Sequence, residues 1–397
     1  MATLLLLIIY LTFISLGLPD SLLGAAWPVM RHDLGAPIGM AGVLSFTVTI
    51  GTIVSALATS RVVRRIGTAR TTLISVAMTA GALLGFSIAP SIAWLMVFAI
   101  PLGLGGGAVD SALNHYIAGH YEARHMSWLH CFWGVGVTVS PMILSVYLSE
   151  GAWRDGYAMI GFIQSAIAAV LIASLPLWKH MEKKRAGGGR APQADAPARG
   201  PEEGRKPKNA AGVKYALGTF LFYCGVEATA GLWGSSYLVN VKGISADDAA
   251  LWISIYFMGI TIGRFVNGFV TLKFSSLTLI RAGQITTLAG ALLLLLPLPA
   301  GFSLAGFLIT GLGLAPIFPS MLHETPVRFG EAHAGRIMGY QFATAYTGAA
   351  LLPPLLGMLA GYWTIGIFPL YIVLMAAAML LATERLNLLL RRRHDAE

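Results

Sequence analysis

Residues 103–120 read GLGGGAVDSALNHYIAGH. An apolar, glycine-rich run carries Asp110, and Asn114 follows four residues later. In a helix that spacing puts both side chains on one face. The run belongs to an apolar stretch over residues 92–116, close to the ~20 residues that cross hydrocarbon as a helix. Comparable stretches recur from end to end. Hydrophobic residues make up 56% of the 397, and charged residues only 11%, against about 25% in a soluble domain. Lipid offers backbone groups no partner, so a spanning chain is helical or a closed barrel. Alternating segments of strand length are absent, which leaves helices.

Twelve spans follow from the pattern. Six fall before a polar connector and six after it. The expected organisation is an N-terminal six-helix bundle over residues 1–178 and a basic, flexible, cytoplasmic linker over 179–212. A C-terminal six-helix bundle over 213–390 and a cytoplasmic tail over 391–397 complete it. The first stretch has almost no basic flank and no small-residue cleavage site, so it reads as the first membrane helix rather than a signal peptide. Parallel six-helix halves are a known transporter plan. The internal echo is faint: GLGLGGG in the fourth span, TGLGLAP in the tenth.

The net charge of +9 is unevenly placed. Arg61, Arg64, Arg65 and Arg70 follow the second span, and nine basic residues occupy the connector. Lys273, Arg328, Arg336 and Arg391 to Arg393 extend the same side, whereas the opposite loops hold little beyond Arg31, Arg154 and Lys242. Basic residues stay cytoplasmic, so both termini are expected there. Membrane orientation also accounts for the basic connector better than nucleic-acid binding, because no folded module accompanies it. Cys131 and Cys224 lie in predicted spans and read as packing residues, not a disulfide framework. Glycine recurs with Pro101, Pro141, Pro316, Pro319, Pro353 and Pro354, which fits a moving bundle of broken helices better than a rigid anchor.

Three acids sit in apolar surroundings: Asp20 in GLPDSLLGAAWP, Asp110 in the fourth span and Glu227 in LFYCGVEATAGLW. A lone charge in hydrocarbon costs from ~3 to more than 10 kcal/mol. Each acid therefore faces a cavity, is paired, or is protonated. A dry setting favours the neutral carboxyl and a nearby cation the ionised one. An acid that alternates between such settings carries a proton across, and Asp110 and Asp20 are the candidates for proton coupling. Glu227, near Tyr223 and Trp233, suits contact with hydroxyls or an amine, with the aromatic rings stacking on a sugar or cation. Asn114, His130, Trp133, Gln341 and Tyr346 complete the candidate substrate contacts. Trp128 reads instead as an interfacial tryptophan.

Arg264 and Asn267 are one turn apart in YFMGITIGRFVNGFV. Such an arginine either pairs with a carboxyl or snorkels to the interface, and nearby Lys273 favours snorkelling. Glu324 and Arg336 join Arg61, Arg64 and Arg65 as expected gating or structural residues. No histidine pair has metal-site spacing, and no GxxxxGK[ST] loop is present. Hence no metal, cofactor or ATP-driven step is expected, and either a gradient supplies the energy or transport is passive.

GLPDSLLGAAWP, GGGAVDSALNHYIAGHY with MSWLHCFWGVG, GVEATAGLW and GITIGRFVNG resemble the major facilitator superfamily, and within it the fucose permease-like branch of proton-coupled sugar symporters. The resemblance covers nearly the whole chain. It implies an all-α membrane protein of two six-helix bundles that rock around a central site, with coupling acids in spans one and four. Asp20 falls where the branch has its first-span aspartate. Asp110 with Asn114 resembles its acid-x-x-x-asparagine pattern, with aspartate for glutamate, and Glu227 matches a span-seven glutamate. One departure stands out: Ser60 replaces the superfamily's aspartate before Arg61, which weakens any gating relay carried over. The expectation is a monomeric, multi-pass carrier in a bacterial cytoplasmic membrane, importing a polyhydroxylated solute with protons. Sodium is the alternative ion, export of drugs or metabolites the alternative direction, and a non-transporting receptor the alternative class.

Overall fold

The computed structural model describes residues 2–121, 123–187, 210–271 and 273–394. Among these residues there are fourteen α-helices, and no strand. They make twelve spans, because two spans are each built from two helices. The first combines α1 (Ala2–Gly17) and α2 (Leu22–Asp33). Next come α3 (Met40–Ile66), α4 (Thr68–Ile88), α5 (Ile92–His120), α6 (Ala123–Leu148) and α7 (Trp153–Gly187). The second series is α8 (Ala210–Lys242), α9 (Ala246–Val270), α10 (Ser276–Leu295), then α11 (Ala300–Leu314) with α12 (Ile317–Phe329), α13 (Glu331–Tyr362) and α14 (Phe368–His394). Eleven of the twelve spans are long and apolar enough to cross a membrane. The remaining one is α8, long enough at 33 residues but diluted by Glu227, glycines and tyrosines.

The breaks have local causes. Pro19 has no N–H to continue the helix, and residues 18–21 form a turn that holds Asp20. Asp20 therefore sits in an interruption between α1 and α2, not inside a continuous helix as its sequence position suggests. Ala315 and Pro316 break the tenth span in the same way. By contrast Pro101, Pro141, Pro353 and Pro354 lie inside continuous helices. Gly67 alone separates α3 from α4, at φ +84°. Arg61, Arg64 and Arg65 are thus on the last turns of α3 rather than in a loop, where cations suit the helix dipole.

Helices enter both ends of the expected linker. Lys183, Lys184 and Arg185 are good helix formers, and α7 continues through Gly187 while α8 begins at Ala210. Residues 188–209 lie outside those described. The expected tail is likewise helical through His394.

The chain forms two compact units. One comprises the described residues up to 187 together with Leu238–Ser254, and the other comprises 210–237 and 255–394. The boundary departs from a clean division into halves. The end of the α8–α9 hairpin packs with the first unit, where Ser254 donates to the Thr138 carbonyl at 2.6 Å and Arg31 to Asn240 at 3.3 Å. The first unit's core joins Leu5, Ile9 and Phe13 of α1 to Val109 and Leu113 of α5, with Leu129, Ile167 and Leu171. Helices approach closely where residues are small. A methyl group added to Gly17 would strike the Trp133 carbonyl, and one on Gly136 the Ile14 carbonyl. This glycine pair lets α1 and α6 touch backbone to backbone.

Candidate functional site

In α5, Val109 and Leu113 face the core. Asp110 and Asn114, each one residue later, are rotated ~100° off that stripe. Both are half-buried. The Asn114 amide donates to Asp110 Oδ1 at 2.8 Å and to the Asp110 carbonyl at 2.9 Å. The side-chain pair expected from the four-residue spacing therefore forms.

Asp20 is exposed at the α1–α2 break, and the Trp133 indole donates to its Oδ2 at 2.8 Å. Trp133 thus positions a carboxylate, a contact across 113 residues that no local pattern signals. His130, one turn before, is exposed, with its ring edge-on to Phe13 at 5.9 Å.

In the second unit, Phe220, Tyr223, Val226, Ala230 and Trp233 form the buried stripe of α8. Glu227 is one residue past Val226 and four past Tyr223. Arg264 of α9 reaches it: the guanidinium donates to Glu227 Oε1 at 3.0 Å and to the Tyr223 hydroxyl at 3.2 Å. The side chains remain 17% and 19% exposed. This corrects the snorkelling expectation for Arg264, because a carboxylate within reach in hydrocarbon outweighs a stretch to the interface. The Tyr256 hydroxyl adds a hydrogen bond to the Glu227 carbonyl at 3.1 Å, a contact not anticipated from sequence.

Trp233 also needs correction. Six residues from Glu227 amount to a rotation of ~600°, which leaves the two ~120° apart on the helix. Trp233 is fully buried and its indole donates to the Pro353 carbonyl at 2.8 Å. It packs helices and does not share a face with Glu227.

The other candidates are dispersed. Gln341 is buried and accepts from Thr325 at 3.0 Å. Tyr346 is half-buried, and Asn267 is buried with its carbonyl oxygen unbonded. Glu324 pairs with Arg328 one turn on, and exposed Arg336 donates to the Tyr340 hydroxyl at 3.3 Å. Arg61, Arg64 and Arg65 are exposed. Two further ion pairs were not foreseen: Arg281 grips both oxygens of Glu384 at 2.6 Å, and Arg154 holds Asp33. Their partners are 103 and 121 residues apart. Among the described residues no cluster of three or more metal-ligating side chains occurs.

These clusters sit on a fold with known relatives. The chain is similar to the glucose/mannose transporter GlcP of Bacillus subtilis (strain 168), 23% identical with 88% of this chain and 86% of the relative covered. It is also similar to Bypass of stop codon protein 6 of Saccharomyces cerevisiae, 24% identical with 92% and 78% covered. Among solved structures, a peptide transporter in complex with sulfate aligns over 98% of this chain and 94% of its own, at TM-score 0.75 and 14% identity. A D-xylose-proton symporter aligns over 94% and 96%, at TM-score 0.68 and 15% identity. The sequence profile of the Major Facilitator Superfamily matches residues 9–210 and 215–397, so the chain belongs to that superfamily and is a multi-pass secondary-active transporter rather than an enzyme.

Proposed function

We propose that this protein couples inward movement of a proton to import of a sugar or similar small polyhydroxylated solute, across a bacterial cytoplasmic membrane, by alternating access. The observation that carries the reading is the contrast between two embedded acids. Glu227 has a guanidinium at 3.0 Å. Asp110 has no basic partner among the described residues and is held by the Asn114 amide. An embedded carboxylate costs from ~3 to more than 10 kcal/mol, and one hydrogen bond to a charged group returns ~1.5–3 kcal/mol. A proton or water must supply the balance, which suits Asp110 to take up and release a proton as its access changes. Glu227, neutralised in place by Arg264, is suited to orient solute hydroxyls. Asp20 with Trp133 is a second acid for coupling or substrate contact. The sugar class is supported by the glucose/mannose transporter among the relatives. Cytoplasmic termini are supported by the distribution of lysine and arginine.

The test is uptake of radiolabelled glucose and mannose into proteoliposomes of known orientation, under an imposed proton or sodium gradient. A proton gradient should drive accumulation by the wild type. Asp110→Asn should abolish accumulation and retain exchange of labelled for unlabelled sugar. Accumulation by the asparagine variant equal to wild type sinks the coupling role. A sodium gradient acting alone reassigns the ion, and movement in the outward sense alone makes the protein an exporter.

A further inference from the structure

The first unit carries a groove of about 520 Å³ on the side of α4, α5 and α7, lined by neither Asp110 nor Asp20. Its long wall is apolar: Gly81, Leu84, Phe98, Ala158 and Phe162. Phe162 and Ile88 are largely exposed, as residues facing acyl chains are. Gly81 opens the floor, and a side chain added there meets no atom within 4 Å. One end of the groove is charged. Arg154 and Asp155 sit there as neighbours on the first turn of α7. That end lies where α4 stops, at the membrane face opposite Arg61, Arg64 and Arg65. Exposed Trp94 stacks on Phe98 beside it, an interfacial arrangement.

We infer that this groove binds one phospholipid with a primary-amine headgroup, phosphatidylethanolamine in chemistry, with an acyl chain along the Gly81 floor. Charge complementarity selects the headgroup. Arg154 is already engaged by Asp33 and the Ala89 carbonyl, yet its five N–H donors leave room for a phosphate oxygen. Asp155 is exposed and has no ion-pair partner among the described residues. Arg154 and Asp155 both line that end, so a cation and an anion are available to a headgroup that carries both a phosphate and an ammonium. A purely anionic headgroup would place its charge beside Asp155 and Asp33. A quaternary ammonium has no N–H to donate to the Asp155 carboxylate. The inference does not depend on the transported solute, so it survives a change in that assignment.

The test is lipid retention measured by native mass spectrometry, on protein exchanged into equimolar phosphatidylethanolamine, phosphatidylcholine and phosphatidylglycerol with identical chains. Wild type should retain phosphatidylethanolamine about threefold over phosphatidylcholine, the scale of one exposed charge-assisted contact. Asp155→Asn should remove that preference and still fold, since the side chain is exposed. Gly81→Leu should reduce retention of every lipid at the site, because leucine fills the floor and favours helix. Equal retention of the ethanolamine and choline lipids overturns the inference. So does preference for phosphatidylglycerol, an unchanged preference in Asp155→Asn, or unchanged retention in Gly81→Leu.

Discussion

Replacing Arg264 with methionine separates a paired arginine from a snorkelling one. Methionine keeps much of the apolar volume and removes the charge. Glu227 would lose its partner at 3.0 Å and Tyr223 its donor at 3.2 Å. Breaking a buried pair by deleting one member costs ~3–5 kcal/mol. Both side chains keep somewhat under a fifth of their exposure, so water recovers part of this, and a loss of ~2–3 kcal/mol is expected. Membrane proteins unfold irreversibly, so the readout is the half-life at fixed temperature in detergent. A loss of ~2 kcal/mol shortens it about thirtyfold when the pair is absent from the unfolding transition state. Glu227→Gln in the same chain removes the orphaned charge, and the double variant should recover ~1 kcal/mol or more relative to additivity. Arg264→Lys should recover only part, because an ammonium does not reproduce the fork that spans the carboxylate and the hydroxyl. A half-life for Arg264→Met within twofold of wild type would refute the reasoning. So would strict additivity in the double variant. Either result would mean that Arg264 is solvated and that Glu227 stands alone.

Other perturbations test neighbouring parts of the molecule. Gly107→Ala drives a methyl group into the Thr52 carbonyl, whereas Gly106→Ala meets only a leucine methyl at 3.8 Å; thermal stability should fall by ~1–3 kcal/mol for the first and barely change for the second. Trp133→Phe keeps an aromatic ring and removes the donor to Asp20, so the uptake rate should fall several-fold while the protein stays folded, and an unchanged rate would exclude that contact from transport. Trp233→Phe removes the donor to the Pro353 carbonyl in a dry site; stability should drop by ~1 kcal/mol with the solute KM unchanged, and a raised KM would restore Trp233 as a contact residue.

The span pattern was legible because it needs only composition and length. Hydrocarbon forbids unsatisfied backbone groups, so each apolar run of about 20 residues became a helix. The Asp110–Asn114 contact was legible for a related reason: four residues on a helix fix a shared face whatever surrounds it. The same rule could have excluded Trp233 from the Glu227 face. The two are near in sequence, but six residues leave the side chains ~120° apart. Pro19 signalled the break beside Asp20, but proline is also carried inside α5, α6 and α13, so the residue alone does not say where a helix stops.

Partners across helices were beyond the sequence. Arg264 with Glu227, Trp133 with Asp20, Arg281 with Glu384 and Arg154 with Asp33 join positions 37 to 121 residues apart. Sequence determined that acids and arginines lie within or beside apolar spans, since that follows from the order of residues. Which acid is neutralised by an arginine and which is left with an amide depends on the rotation and approach of separate helices. Those are set by packing of small residues such as Gly17 and Gly136, and only the tertiary structure decided them.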